Sequence, residues 1–443
     1  MRRLIAAGEG SAHVLTLAKL ANVALSMLWG FAVTFVFVRM LPGAEFKAFL
    51  LLVAFNNFTQ SAELGLTNVV YARLRRWWLA HRGADGAGNE GGDFRLEEIG
   101  VLFLFLGALI LCGGIMVAGA ILAGWIRTDL PALFLIFFLA SALNMLLLLA
   151  KRALAAVDRN LVWETVDFAR RLLGLAILLS VLAGFGLMTS VALQLILNSA
   201  GVLTGLALIQ QRTGMHGRQW VAWRVGGGHV RRTYLRDIGA SAALTLSEVA
   251  AYNSPYFLIA AVSHDPALIL LFDFVFKMIR AVATATRATI EGALPRLTRL
   301  WFAGDMAAFA HGLARAVGIA VGVALCADLL LVAIGGRLFA ILFDGRAVLT
   351  MAELAMLCVL LLALAVMCVS VYVQGALGRF GPLLRQSLPF LAASLISPLL
   401  AVWLAGKGSA ANDGPIFMAL YLATFAGAAM LHIAAMRRMA RRL

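Results

Sequence analysis

The chain is a succession of long apolar runs separated by short polar breaks. A bilayer core of about 30 Å takes about 20 residues of helix to cross. Stretches of that length lie at 14–38, 48–70, 99–123, 132–150, 163–184, 187–209, 238–261, 268–292, 308–333, 351–375, 383–405 and 414–436. The runs are continuously apolar and do not alternate with period two, which excludes a β-barrel. The predicted fold is an all-α polytopic membrane protein of about twelve transmembrane helices. The first run is too long for a leader's apolar region, lacks a small-residue cleavage site and carries Lys19 and Asn22, so it reads as a retained span.

Composition agrees with that pattern. The chain is 62% hydrophobic and 13% charged, against about 45–50% and about 25% in soluble domains. A soluble enzyme, a disordered chain and a disulfide scaffold are excluded. The formal charge of +15 would suggest nucleic acid in a soluble protein. Counting between spans gives another origin. With the N-terminus inside, the inside segments hold roughly four times as many Lys and Arg as the outside loops. Both termini are therefore expected in the cytoplasm, and no nucleic-acid partner is implied. Cys112, Cys326, Cys358 and Cys368 all fall in spans without metal-ligand spacing, so no metal or cofactor is expected.

The spans divide six and six. Residues 1–209 form the expected N-terminal lobe, 210–237 a cytoplasmic connector and 238–443 the C-terminal lobe. The connector carries six arginines with Trp220 and Trp223 among them, a composition suited to the anionic inner leaflet. Topology alone also accounts for those arginines.

Ionisable groups inside a bilayer are costly, so their placement is informative. In the eighth span Asp273, Lys277, Arg280, Thr284, Arg287 and Glu291 are spaced 4, 3, 4, 3 and 4. At 100° per residue they share an arc of about 80°, and their rise of about 27 Å nearly crosses the membrane. Weaker stripes recur. The second span aligns Asn56, Gln60, Glu63 and Thr67; the seventh aligns Ser241, Thr245, Glu248 and Tyr252; the first aligns Lys19, Asn22 and Ser26. The same helix pair at the start of each half points to an internal repeat around a polar path. Two readings of the stripe stay open. The i,i+4 pairs Asp273–Lys277 and Arg287–Glu291 neutralise each other as structural bolts. Alternatively Lys277, Arg280 and Arg287, with Thr284 and Lys19, face water and hold an anion. Glu63, Glu248, Asp273 and Glu291 are candidates for coupling or gating, and Asn22, Asn56, Gln60, Thr245 and Tyr252 for polar lining. Glu164, Asp167 and Arg171 open the fifth span and read as interfacial. Gly201 and Gly205 form a helix-packing GxxxG.

Short motifs in order along the chain add a resemblance. Arg39-Met-Leu-Pro-Gly-Ala-Glu45-Phe46 follows the first span, with Lys47 where a glycine is usual. Glu63-Leu64-Gly65-Leu66 comes next, then Pro295, Leu297, Thr298, Arg299 and Gly304-Asp305, a loop from Gly335 through Gly345, and Gln374-Gly375-Ala376-Leu377-Gly378-Arg379. The set resembles the polysaccharide and O-antigen flippases of the MOP superfamily. The resemblance implies two six-helix lobes in the bacterial inner membrane and flipping of a lipid-linked oligosaccharide by alternating access. It implies polysaccharide polymerase and glycosyltransferases as functional partners, and membrane lipids around the protein. No GxxxxGK[ST] loop is present for ATP coupling. A cation-coupled drug or small-solute antiporter of the same superfamily is the first alternative. An integral-membrane glycosyltransferase or polymerase is disfavoured, because the outside loops are short.

Overall fold

A computed structural model describes residues 12–61, 66–81, 94–263, 266–291, 293–377, 379–405 and 413–440. Among them the regular structure is helical. The helices are α1 (Ala12–Met40), α2 (Gly43–Ser61), α3 (Leu66–His81), α4 (Glu97–Leu122), α5 (Pro131–Ala142), α6 (Asn144–Ala156), α7 (Asn160–Leu179) and α8 (Leu187–Thr213). They continue as α9 (Gly217–Trp220), α10 (Trp223–Val262), α11 (Pro266–Glu291), α12 (Leu294–Phe302), α13 (Met306–Leu342), α14 (Met351–Ala376), α15 (Phe380–Ala405) and α16 (Asp413–Ala440).

Each expected span falls on one of these helices or on a consecutive pair. The fourth is α5 and α6, and the second is α2 and α3. Among the described residues, eight helical stretches are long and apolar enough to cross a membrane: most of α1 (Ala21–Met40), α4, α5–α6 as one, α8, α13, α14, α15 and α16. The spans below that threshold are the second, fifth, seventh and eighth, which carry most of the intramembrane polar residues. In the fifth, seventh and eighth the cause is polar and charged side chains on helices of 20, 40 and 26 residues, whereas the second falls on two described stretches of 19 and 16 residues. Apolar side chains on the outer faces are strongly exposed, such as Ile115 (73%) on α4 and Leu329 (72%) on α13. A water-soluble surface rarely presents such runs.

Helix ends follow local chemistry. Thr350 caps α14 in a reciprocal box with Glu353, whose Oε2 accepts from Thr350 N at 2.8 Å. Asp305, from the Gly-Asp motif, caps α13 by accepting from Ala308 N at 2.9 Å. Gly214 ends α8 in the left-handed region, at φ 72°.

The chain forms two compact units. The first comprises Met1–Met40 and Phe55–Ala242, and the second Leu41–Ala54 and Ala243–Leu443. In the first unit α1 packs on α7, α5 on α8, and α6 on α3, α7 and α8. Phe134, Phe138, Ala150 and Trp163 lie in its core. In the second unit α14 packs on α11, α13 and α16, and α15 on α16. The turn after the first span belongs to this unit. Arg346 donates to Leu41 O at 3.1 Å, and Lys47, the departure from the motif, donates to Ser263 O at 3.5 Å.

The connector is more ordered than a loop. Its first residues finish α8, and from Trp223 it is continuous with the seventh span in the 40-residue α10. Between them α9 docks on α4. The Trp220 ring meets Phe103 edge-on at 5.8 Å, and Gln219 Nε2 donates to Glu97 Oε1 at 3.1 Å. Gly100 makes room for it, because a Cβ there would lie 2.6 Å from Gln219 O and 2.7 Å from Trp220 Cα.

Candidate functional site

The polar stripe of the eighth span lies on α11 in the second unit, and it is not uniform along its length. At one end Asp273 is buried (1% exposed). Its Oδ1 accepts from the Tyr256 hydroxyl of α10 at 2.8 Å, and its Oδ2 pairs with Lys277 one turn on. The Lys277 side chain is 13% exposed. Both carboxylate oxygens are thus engaged, and the Lys277 charge is neutralised locally. The bolt reading describes this end.

The other end differs. Arg280 is exposed and sits midway along the 26-residue helix. Its guanidinium lies over the Phe276 ring, 5.7 Å from the centroid, a contact that leaves the N–H edges open. No carboxylate pairs with it among the described residues. Thr284 is half-buried and donates to the Arg280 carbonyl at 2.7 Å. Arg287 is exposed, its guanidinium 5.7 Å from the Tyr372 ring centroid of α14. Glu291 lies on α11, and its side chain is outside the described residues. With Asp273 and Lys277 cancelling, Arg280 is left without a carboxylate partner among the described residues.

Beside it α10 places Glu248 and Tyr252 on one face. Glu248 is half-buried, and no hydrogen bond or ion pair holds it among the described residues. Tyr252 lies within electrostatic range of Glu248, Cys368, Tyr372 and Tyr421. Its ring packs on Phe390 (5.5 Å) and Phe425 (6.3 Å). Tyr256 meets Phe272 at 4.6 Å and Phe276 at 5.6 Å. An aromatic wall therefore backs the charged face of α11. Thr245 is half-buried one turn before Glu248.

The first unit carries a separate buried network. Asn22 of α1 is 4% exposed, and its Nδ2 donates to Glu164 O at 2.9 Å and Glu164 Oε2 at 2.6 Å. Glu164 is fully buried and also pairs with Lys151 at 2.9 Å. One turn on, Asp167 accepts from Arg170 (2.6 Å) and Arg171 (2.8 Å). Arg170 also donates to Asn198 of α8, whose Nδ2 donates to Ala140 O at 2.7 Å. Each carboxylate here has its own cation. Glu164 and Asp167 are held inside the helix packing of α1, α6, α7 and α8. Lys151, Arg170 and Asn198 were not among the sequence candidates. The GxxxG was the available signal, since a Cβ at Gly201 would lie 2.8 Å from Arg170 Cδ. Gly201 thus clears the channel in which Arg170 runs.

The remaining candidates are scattered. Lys19 is exposed on α1, and Asn56 is buried (5% exposed) on α2 with its Oδ1 unbonded. Gln60 lies on α2 with its side chain outside the described residues, and Glu63 lies outside them altogether. No cluster of metal-ligating side chains occurs among the described residues.

No family model matches the chain, and no curated protein matches it. Solved structures do. A variant of the Vibrio cholerae MATE transporter VcmN aligns over 98% of both chains at 16% identity, with a TM-score of 0.63. A multidrug-resistance MATE family transporter of the MOP superfamily, in an outward-facing conformation, aligns over 96% of this chain and 94% of its own at 13% identity, with a TM-score of 0.65. A MOP superfamily transporter from Pyrococcus furiosus, described as having a binding pocket of reverse polarity, aligns over 96% and 94% at 11% identity, with a TM-score of 0.54. From end to end, the chain has the fold of the MATE transporters of the MOP superfamily.

Proposed function

We propose that the protein is a transporter that flips an anionic, polyprenyl-pyrophosphate-linked oligosaccharide from the inner to the outer leaflet of the bacterial cytoplasmic membrane. The observation that carries this reading is Arg280. It is exposed midway along α11, the helix of the eighth expected span, without a carboxylate partner among the described residues, while the nearby Asp273 is already engaged. A bare guanidinium at that depth is costly unless water or an anion compensates it. Guanidinium binds phosphate oxygens in bidentate fashion. Arg280 and Arg287 would hold the pyrophosphate, the polar face would pass the glycan, and the prenyl tail would remain in lipid. The two six-helix lobes, with residues 210–237 between them, would alternate access to the site. Polymerase and glycosyltransferases would act on either side of the step.

A second reading is favoured by Glu248, a half-buried carboxylate with no partner among the described residues. It suits a cation-coupled antiporter of small solutes, and the MATE neighbours are compatible with it. Complementation of a glycan-export defect separates the two. Arg280→Ala is expected to abolish surface glycan at unchanged protein level, and Glu248→Gln to alter only its pH or ion dependence. Normal export with Arg280→Ala would remove the anion-binding role.

A further inference from the structure

Another buried carboxylate in the same unit takes no part in the site above. Asp328 lies on α13, a helix long and apolar enough to cross the membrane. The residue is 7% exposed, and both carboxylate oxygens are buried, with the weakly donating Cys358 thiol as their one side-chain partner among the described residues. Its helical neighbours Leu325, Leu329 and Leu330 are 47%, 72% and 63% exposed, so α13 shows them to lipid and turns Asp328 inward. Helices α11, α12, α14 and α16 pack against α13. Of these, α14 brings a titratable group to Asp328, the thiol of Cys358. The other three bring no charged or titratable group to it among the described residues.

An ionised carboxylate in such a place costs several kcal/mol without a cation beside it. The carboxylates of the first unit show the usual solution, each with its own cation. Asp328 has a weakly polar thiol instead. The counter-charge that needs no further side chain is a proton, which makes the group a neutral acid.

We propose that Asp328 is a proton-binding site of the second unit, protonated while α13 and α14 are packed together and ionised only when their seam admits water. The O–H bond breaks toward an entering water, which carries the proton away, and the carboxylate left behind is stabilised by hydration. Protonation thus closes the seam and deprotonation opens it. The inference requires the membrane placement of α13, not the identity of a transported substrate.

Cys358 is a built-in reporter. In protein with Cys112, Cys326 and Cys368 replaced by Ser, its labelling by a small methanethiosulfonate is followed against pH in lipid vesicles. Thiolate formation alone raises labelling up to about tenfold per pH unit. An ionised Asp328 in a closed seam would repel the thiolate and slow labelling, so faster labelling reports opening. Cys358 is expected to label at least about fivefold faster at high pH than in Asp328→Asn, with matching rates at low pH. Asp328→Glu, which keeps a carboxylate, is expected to restore the step. Asp328→Ser serves as a second neutral variant should Asp328→Asn fail to fold. Superimposable profiles for wild type and a folded neutral variant would overturn the proposal.

Discussion

Replacing Lys277 by Met tests whether Asp273 and Lys277 brace the second unit as a pair. The substitution keeps length and removes charge. It leaves Asp273, 1% exposed, with the Tyr256 hydroxyl at 2.8 Å as its remaining donor among the described residues. Breaking a buried pair by removing one partner costs about 3–5 kcal/mol, whereas replacing both partners by neutral groups of similar volume is often close to neutral. Asp273→Asn combined with Lys277→Met is therefore expected to cost within about 1 kcal/mol of wild type. The coupling energy from the cycle should then be at least about 2 kcal/mol. Tyr256→Phe removes a hydrogen bond to a charged group and should cost about 1.5–3 kcal/mol. Unfolding in mixed micelles, followed by tryptophan fluorescence as denaturing detergent is added, reads all of these variants. Arg280→Ala in the same assay should cost less than about 1 kcal/mol, because no ion pair is lost. If Lys277→Met and the double variant unfold alike, the pair is not a brace and the division of the α11 stripe into a structural and an open end fails.

Glycine substitutions test the other packing claims. Gly205→Ala would bring a Cβ to 2.8 Å from Ala150 Cβ and 3.1 Å from the Trp163 ring, and overpacking of this kind costs about 1–3 kcal/mol. A stable Gly205→Ala protein in thermal unfolding would contradict the close approach of α6 and α8. Gly100→Ala places its Cβ against the backbone of Gln219 and Trp220, so α9 should detach and cleavage by a protease near Arg218 should quicken; unchanged cleavage would show that α9 does not dock there.

Membrane helices were legible because burial in lipid leaves a simple trace, about 20 apolar residues in a row. Helix breaks were less so. The Leu143–Asn144 interruption between α5 and α6 lies inside one apolar run, stabilised by Asn144 Nδ2 donating to Ser141 O at 2.8 Å, and one asparagine in a hydrophobic stretch does not announce a break. The stripe on α11 was visible as a spacing, since helical periodicity decides which residues share a face. Spacing does not say which of them are neutralised. Lys277 and Arg280 are equivalent cations in sequence, and what separates them is Tyr256 and Asp273 on one side and the Phe276 face on the other. Asn22 likewise reads as lining but is bonded into α7 through Glu164. The Arg170–Asn198 contact joins residues 28 apart, and no local pattern encodes such a pairing.

The central claim is that Arg280 grips the phosphates of a lipid-linked substrate. It is tested most directly in proteoliposomes by the transfer of a polyprenyl-pyrophosphate oligosaccharide between leaflets, compared with uptake of a cationic dye, in wild type, Arg280→Ala and Arg280→Lys. Wild type is expected to transfer the glycolipid, Arg280→Ala to lose at least about tenfold, Arg280→Lys to retain part of the rate as a charge without the bidentate fork, and none of them to take up the dye. Dye uptake by wild type without glycolipid transfer, or transfer indifferent to Arg280, would contradict it.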